Sequence, residues 1–313
     1  MLIITGSDDN YVPGVLVLIA SAAMHNPGAR FAVLDMGISA PNRARIDALG
    51  PRLGVELRRI EVSGDAFDRL LVKRAHLTRS AFLRLLIPSL FPDETRAIYM
   101  DCDMVVMGDL SPLQAADLGQ NLIAAVACPS PDPIEVAATG HVIGSYVNSG
   151  LLVMNLTLWR AEDTAAACTA LLSDPDRPLL SEDQSAINTV TRGRILLLDA
   201  RYNVYTDPSS YKRLEEFPSD PVVLHFVVNN KPWNLPTPLS RIWRFHAARI
   251  AELMPPARRL TMRRRISLVN RKRKLLVGLV IRSPKYQLRR KILVMMESTV
   301  TQTYLRRASA QAG

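Results

Sequence analysis

Two aspartates separated by one residue, Asp101 and Asp103, directly follow the apolar residues 97–100. If those residues form a strand and the backbone stays extended, both carboxylates point to one side and Cys102 points away. Paired carboxylates of this kind hold hard divalent cations such as Mg²⁺ or Mn²⁺ and leave positions open for phosphate oxygens. The pair by itself is equally compatible with a solvated turn.

His225 ends a second apolar run, residues 222–224, where ligands gather at the strand ends of open sheets. Its side chain is a candidate third metal ligand, with an ordinary partly buried histidine as the alternative. Lys231 follows six residues later and precedes Pro232 and Trp233. A lysine there can hold a phosphate as a point charge.

Further polar residues stand at predicted loops and helix starts and are candidates for substrate contacts: Asp8, Asn10, Tyr11, Arg84, Asn148, Asp183 and Gln184. Several also have a purely structural interpretation. Asp8 is a possible helix cap, and Asp183 is an acid favoured in a first helical turn. Arg84 is compatible with a solvated helix face, and Asn148 with a turn.

The elements that must position these residues alternate between strand and helix. Residues 2–5 and 31–34 predict strands, and residues 12–24 between them predict a helix. Strands alternating with helices favour a largely parallel sheet covered on both faces. Residues 78–90 and 156–172 predict two further helices. Residues 202–221 show no period and predict a long surface loop.

The chain has 313 residues, of which 48% are hydrophobic, enough for a substantial core. Cys102, Cys128 and Cys168 are few and far apart. The sequence therefore predicts neither a disulfide framework nor a cysteine zinc cage, and it favours a reducing compartment. The apolar residues 12–24 follow acids rather than a positive segment, so we expect neither a signal peptide nor a membrane span.

Charge is distributed unevenly along the chain. Residues 256–313 hold 16 Lys and Arg against one acid, a net charge of +15, whereas residues 1–255 carry −5. We place a domain boundary there, with a catalytic domain at 1–255 and a basic tail at 256–313. Apolar runs between the basic clusters predict amphipathic helix that lies on an anionic membrane surface. A disordered tail and a nucleic-acid patch are the alternatives, although aromatic residues for stacking on bases are scarce.

In their order and spacing, these motifs resemble family 8 of the retaining glycosyltransferases, especially bacterial lipooligosaccharide and lipopolysaccharide galactosyl- or glucosyltransferases. The resemblance covers about residues 1–245. The segment Asp8-Asp9-Asn10-Tyr11 matches the loop that in the family contacts uracil and ribose. Arg84 matches the family's donor-binding arginine, and Asp101 and Asp103 match its metal-binding pair.

The second half of the resemblance lies after residue 140. Asn148 matches an asparagine that touches the donor sugar, and Asp183 and Gln184 match an Asp-Gln step beside that sugar. His225 matches the family's third metal ligand, and Lys231, before Pro-Trp, matches its diphosphate-binding lysine.

The resemblance implies an α/β fold of the GT-A type, with a Rossmann-like, mainly parallel mixed sheet flanked by helices. It implies transfer of galactose or glucose from a UDP-sugar to a glycan or glycolipid acceptor, with Mn²⁺ or Mg²⁺ as cofactor. The expected setting is lipopolysaccharide or surface polysaccharide synthesis in the cytoplasm, at the inner face of the cytoplasmic membrane. No nucleic-acid partner is expected.

Two features leave the mechanism open. The family usually carries a glycine between its histidine and lysine, whereas residues 227–230 contain none, so either Asn229 or Asn230 donates to phosphate or the donor binds more weakly. Gln184 stands where a nucleophile would be expected, but an amide is a poor nucleophile, so we favour front-face attack over double displacement. A sugar-nucleotide nucleotidyltransferase and a non-enzymatic nucleic-acid binder are the alternative functions.

Overall fold

The computed structural model describes residues 1–62, 79–174, 176, 179–227, 231–256 and 261–312. Within these ranges, the structure does not describe the side chains of residues 79–81, 263–265, 267, 271–272 and 311–312. The glycine-free segment between His225 and Lys231 falls mostly outside the described residues, because 228–230 are not among them.

In the part of the chain that the structure describes, ten strands form two sheets: β1 (Leu2–Ser7), β2 (Arg30–Asp35), β3 (Leu57–Glu61), β4 (Arg96–Met100), β5 (Met104–Val106), β6 (Ile123–Ala127), β7 (Val147–Asn155), β8 (Ile195–Leu198), β9 (Val204–Tyr205) and β10 (Val223–His225). The large sheet has the order β3-β2-β1-β4-β7-β6-β8, and the small sheet has the order β5-β10-β9. In the large sheet β7 runs antiparallel to β4 and β6, and the other pairs are parallel. The predicted mixed, mainly parallel α/β sheet is confirmed.

Helices cover both faces of the large sheet and continue through the tail: α1 (Val12–His25), α2 (Ala40–Leu53), α3 (Ile87–Leu90), α4 (Ser111–Ala115), α5 (Pro133–Ala138), α6 (Leu156–Ala161), α7 (Thr164–Ser173), α8 (Glu182–Thr191), α9 (Ser240–Arg249), α10 (Met262–Val280), α11 (Pro284–Met295) and α12 (Gln302–Ala312). Alternate residues along the central strands of the large sheet face opposite cores. Ile3 packs with α1 and α2, whereas Ile4 packs with Phe82 and Trp159 on the other side.

Two predicted helices differ from the observed elements. Arg79–Leu86 is a 3₁₀ helix, and α3 begins only at Ile87. Pro88 has no N–H for the carbonyl of Arg84, which interrupts an α-helical ladder at this point. The helix predicted over 156–172 is two helices, α6 and α7, because the backbone turns at Asp163, whose φ is 49°.

The prediction of a surface loop over 202–221 is wrong. Strand β9 lies within it and pairs in parallel with β10. Tyr211 and Phe217 are buried, with ring centroids 5.3 Å apart in an edge contact. Aromatic side chains therefore hold this irregular segment against the small sheet, and a period-based reading cannot detect that kind of anchoring.

The tail contains two differently placed parts. Ile292, Met296, Val300, Tyr304 and Ala308 are buried in a third apolar cluster formed with the small sheet and α9. These residues are spaced four apart, so in a regular α-helix they would rotate gradually around the helix. The π-helical segment Met296–Thr301, between α11 and α12, has more residues per turn and keeps them on one face. By contrast, α10 exposes most of its apolar side chains. Among the described residues, no helix combines the length and apolarity needed to cross a bilayer.

Candidate metal and donor site

A turn after β4 brings the two aspartates together. The chain reverses over Asp101 to Met104, where the Met104 amide donates to the Asp101 carbonyl at 3.2 Å, so the expected extended backbone is wrong here. Strand β10 pairs antiparallel with β5 and sets His225 opposite Met104. One ligand atom from each of Asp101, Asp103 and His225 then lies within 4.8 Å of the others.

Asp101 uses its two oxygens differently. Oδ1 accepts from the Tyr99 hydroxyl at 2.7 Å and from the Arg84 guanidinium at 3.1 Å. Oδ2 faces His225 Nε2 at 3.7 Å. Protein donors thus orient one oxygen of the carboxylate and leave the other directed toward the histidine.

The two oxygens of Asp103 also have different partners, one held by a protein donor and the other facing His225. Lys231 Nζ lies 2.5 Å from Oδ2 and also donates to the Phe226 carbonyl at 2.7 Å. Oδ1 lies 3.2 Å from His225 Nε2, is buried, and has no hydrogen-bond donor among the described residues. Burial by itself raises the pKa of Asp103, but His225, when its ring is protonated, and Lys231 outweigh burial and hold the pKa well below its usual range.

This donor set fits a divalent cation. Two carboxylate oxygens and one imidazole nitrogen converge, and the otherwise unsatisfied Asp103 Oδ1 needs a positive partner. Oxygen-rich sites with one imidazole suit Mn²⁺, and carboxylates suit Mg²⁺ as well. We therefore consider the three residues capable of holding either ion.

Arg84 is buried rather than on a solvated helix face, at 5% exposure. Its Nε lies 3.0 Å from Asp183 Oδ2, and it also donates to Ser149, both to the carbonyl and to Oγ. Burial lowers the pKa of Arg84, but Asp101 and Asp183 outweigh burial and raise it. Burial raises the pKa of Asp183 to about 6, although Arg84 acts in the opposite direction.

Gln184 and Asn148 extend the site away from the aspartates. Gln184 Oε1 accepts from Asn148 Nδ2 at 2.8 Å and from the Ser149 amide at 3.2 Å. Asn148 Oδ1 accepts from the Gly150 amide at 3.1 Å. Both backbone donors belong to β7, which therefore connects the predicted sugar-contacting residues to the rest of the site.

The opening loop supplies an aromatic wall. The Tyr11 ring meets the edge of Trp233 at 5.7 Å, and Lys231 Nζ lies 5.9 Å from the Tyr11 ring centre. Asp8 accepts from the Asn10 amide at 2.8 Å, while α1 has no side-chain cap. The capping alternative for Asp8 is therefore wrong.

A cleft of about 220 Å³ collects most of the predicted residues, and its lining consists of Gly6, Ser7, Asp8, Tyr11, Arg84, Tyr99, Asp101, Cys102, Asp103 and Lys231. His225, Asp183, Gln184 and Asn148 join it through the contacts above. Asn10 lines a neighbouring cavity beside Trp233 instead.

Two glycines permit the close packing. A Cβ on Gly150 would lie 2.4 Å from His225 Cε1 and 2.8 Å from Asp101 Oδ2. A Cβ on Gly14 would lie 2.3 Å from the Cys102 carbonyl, so α1 can approach the aspartate turn only without a side chain there.

Sequence reasoning missed two residues of the site, Tyr99 and Asn203. Tyr99 lies two residues before Asp101, so its period-two spacing could have identified it as a neighbour on the same side. Asn203 accepts from His225 Nδ1 at 2.9 Å, but it lies in the segment interpreted as a surface loop, where no local signal identifies it.

Comparison with known proteins is consistent with this geometry. The family model described as "Glycosyl transferase family 8" matches residues 2–236. General stress protein A of Bacillus subtilis is 28% identical over 75% of this chain and 87% of its own length. Lipopolysaccharide glucosyltransferase WaaO of Escherichia coli is 25% identical over 73% of this chain and 71% of its own length.

Lipopolysaccharide 1,3-galactosyltransferase of Salmonella typhimurium is also 25% identical, over 73% of this chain and 72% of its own length. The crystal structure of the galactosyltransferase LgtC in complex with donor and acceptor sugar analogues superposes with a TM-score of 0.68 at 24% identity, covering 82% of this chain and 97% of LgtC. At this identity the superposition shows the shared fold alone. With three quarters of the chain matched by the family model, the protein belongs to glycosyltransferase family 8 and is a glycosyltransferase.

Proposed function

We propose that this glycosyltransferase transfers a hexose, galactose or glucose, from a UDP-sugar to a glycan acceptor with retention, using Mn²⁺ or Mg²⁺ held by Asp101, Asp103 and His225. The observation that carries the metal proposal is the buried Asp103 Oδ1, which has no donor in the described structure and faces His225 Nε2. A bound divalent cation supplies Lewis-acid stabilisation of the departing diphosphate.

The chain's own residues would bind the donor in three places. Tyr11, beside Trp233, offers a ring face for the uracil, and Asp8 offers an acceptor next to it. Lys231 Nζ is close to both the Tyr11 ring and Asp103, where its charge would meet the diphosphate. Arg84 and Asp183 form a buried ion pair beside Ser149, and we assign this pair to orienting the sugar hydroxyls.

Gln184 supports front-face attack. Its Oε1, the atom that would have to act as nucleophile, already accepts two hydrogen bonds, from Asn148 and from the Ser149 amide. We therefore assign Gln184 to orienting the sugar. The acceptor oxygen would bond to the anomeric carbon on the face that the diphosphate leaves, and the acceptor's proton would pass to the departing phosphate oxygen. Double displacement through a nearby acid is the competing route.

The first experiment is a donor screen. UDP-galactose and UDP-glucose are incubated with the enzyme and Mn²⁺, with and without acceptor glycans, and released UDP is measured. NMR of the transferred sugar then reports the anomeric configuration. We expect hydrolysis of one UDP-hexose and net retention. An inverted product, or no turnover of either donor with any divalent cation, would contradict the proposal.

For the acceptor we propose a lipopolysaccharide or surface-polysaccharide glycan, supported by the similarity to the two lipopolysaccharide transferases. We also propose a position at the inner face of the cytoplasmic membrane. Helix α10 supports it: Met262, Ile266, Val269, Leu276 and Val280 lie on one stripe of the helix and are between 54% and 80% exposed. The tail's +15 charge complements anionic lipids.

Vesicle co-sedimentation tests the membrane proposal. A variant with Val269, Leu276 and Val280 changed to Ser keeps the charge but removes the apolar stripe, so binding to anionic vesicles should fall about tenfold or more. Ile134→Ser is the matched control, because Ile134 is 72% exposed on α5 outside the tail. Equal binding by the triple variant would remove the membrane role. Deleting residues 256–313 is a poorer test, since it also removes buried residues such as Met296.

A further inference from the structure

The hydrogen bonds around His225 have a defined direction, which can be traced from backbone amides. A backbone N–H can only donate, so Asn148 Oδ1, 3.1 Å from the Gly150 amide, must be the acceptor oxygen. The Ser149 amide in the same way identifies Gln184 Oε1 as an acceptor at 3.2 Å. Asn148 therefore turns its Nδ2 toward Gln184, at 2.8 Å.

The same reasoning orients Asn203, which is 3% exposed. Because Asn148 Oδ1 is an acceptor, the Asn203 atom 2.8 Å away from it must be the donor Nδ2. Asn203 Oδ1 then faces His225 Nδ1 at 2.9 Å, and this nitrogen must carry the proton. In the neutral imidazole, Nε2 is consequently a lone pair directed toward Asp101 and Asp103.

We propose that Asn203 is a positioning residue that keeps His225 in the metal-binding tautomer and connects it, through Asn148, to Gln184. A second hydrogen-bonding partner of this kind orients an imidazole ligand and raises its basicity. The connection gives the metal end and the sugar end of the site a common set of hydrogen bonds. The inference rests on the proposed metal site and names a residue outside the motifs of the sequence.

Two substitutions at Asn203 separate its two hydrogen bonds. Asn203→Leu removes both, so His225 loses its acceptor and Asn148 loses a donor. Asn203→Asp keeps an acceptor for His225 Nδ1 but cannot donate to Asn148 Oδ1. Tyr146→Phe is the control at the other end, because Tyr146 accepts from Gln184 Nε2 at 3.1 Å and does not contact His225 in the described structure.

The experiment measures Mn²⁺ affinity by calorimetry and electron paramagnetic resonance, without donor, on the full chain. Asn203→Leu should weaken binding about ten- to a hundredfold. Asn203→Asp and Tyr146→Phe should bind Mn²⁺ within about threefold of wild type. With saturating Mn²⁺ and donor, Asn203→Asp should still lower kcat about tenfold, because Asn148 and Gln184 are no longer aligned.

Nitrogen-15 NMR of the histidine rings provides a readout that does not depend on metal or turnover. The protonated Nδ1 signal of His225, assigned with His225→Asn, should persist in Asn203→Asp and disappear in Asn203→Leu. Wild-type Mn²⁺ affinity in a folded Asn203→Leu protein, or a His225 protonated on Nε2 in wild type, would overturn the inference. Absence of Mn²⁺ binding in wild type would instead refute the proposed metal site, and the tautomer measurement would still decide the role of Asn203.

Discussion

Two regions of the protein are stabilised in different ways. One is the donor cleft, which contains Asp101 and Asp103, and the other is the C-terminal cluster, the third apolar cluster in which Ile292, Met296 and Val300 are buried. Around Asp101 and Asp103, buried charges and amides hold one another through directed hydrogen bonds, and one carboxylate oxygen lacks a donor in the described structure. In the C-terminal cluster, Ile292, Met296 and Val300 pack on the small sheet through apolar contact. The proposed cation site leaves Asp103 Oδ1 for a positive partner, whereas the C-terminal cluster is held mainly by packed apolar side chains.

The C-terminal cluster also contains polar contacts, which centre on Tyr304. The Tyr304 hydroxyl lies 2.8 Å from His25 Nε2 and 2.7 Å from His246 Nε2, joining α12 to α1 and α9. Burial, with the charge of Arg249 as a smaller cause, lowers the pKa of His25. Burial lowers the pKa of His246 to about 3. We expect substitutions that keep the size of a polar side chain in the donor cleft to affect chemistry with little effect on folding. Changes at Tyr304 or His246 should affect folding with little effect on chemistry.

The largest effect is expected for Asp103→Asn. The change removes a charge from the proposed metal site, so transfer at saturating Mn²⁺ should fall by at least about a thousandfold. The fold should persist, because the amide oxygen can still accept from Lys231 and the side chain keeps its size. Turnover and circular dichroism measured together test this. Near wild-type activity in the folded variant would contradict the metal assignment.

Gly150→Ala should be the next most damaging change. The added methyl would collide with His225 and Asp101, so Mn²⁺ affinity should drop about a hundredfold, with a stability cost of about 1–3 kcal/mol. Gly108→Ala is the matched control, since its nearest neighbour would be Val222 Cγ1 at an ordinary 3.5 Å. Calorimetric titration and urea unfolding of both variants test this expectation. Equal Mn²⁺ affinity and equal stability of the two variants would contradict it.

Gln184→Ala should reduce turnover about ten- to a hundredfold without abolishing it. In the proposed role, the side chain is held by Asn148 and the Ser149 amide and orients the sugar rather than forming a bond to it. Steady-state kinetics with the preferred donor gives the value, and Mn²⁺ affinity serves as the control that should not change. A glycosyl adduct trapped on wild-type Gln184 would show that double displacement operates.

The smallest effect concerns pH and the C-terminal cluster. Burial lowers the pKa of His246 from 6.5 in the unfolded chain to about 3 in the folded chain. Below pH 6.5 the unfolded chain therefore binds a proton that the folded chain does not. Stability should therefore fall by about 1 kcal/mol between pH 7.5 and 5.5. His246→Gln should lose less over this range, as measured by urea unfolding. An identical pH dependence in the variant would exclude His246 as its source.

The convergence of Asp101, Asp103 and His225 could be predicted from the sequence, and their roles stay predictions. The residues of the proposed metal site stand just after apolar runs, at 97–100 and 222–224, and strand ends in α/β sheets collect functional groups. The order of the motifs along the chain added the family resemblance, which the family match confirms. The alternation of predicted strands and helices was enough to predict a mainly parallel sheet. Lys231 lies beside Asp103, close to where we expect the diphosphate. Its binding to the diphosphate remains a prediction.

Other features depend on contacts between segments far apart in the chain. Asn203 contacts His225 because β9 and β10 pair, and nothing near residue 203 encodes that pairing. Tyr211 and Phe217 are buried because the small sheet offers them an apolar surface. The burial of Arg84 depends on Asp183, which is 99 positions later in the sequence.

The sequence by itself determined which residue types follow which strands, since side-chain periodicity within an element is local. Only the tertiary structure decided which oxygen of each aspartate is held by donors and which faces His225. That choice depends on Arg84, Tyr99 and Lys231 approaching from separate elements. Satisfying buried polar groups is a property of the whole packed chain, and a linear pattern does not specify it.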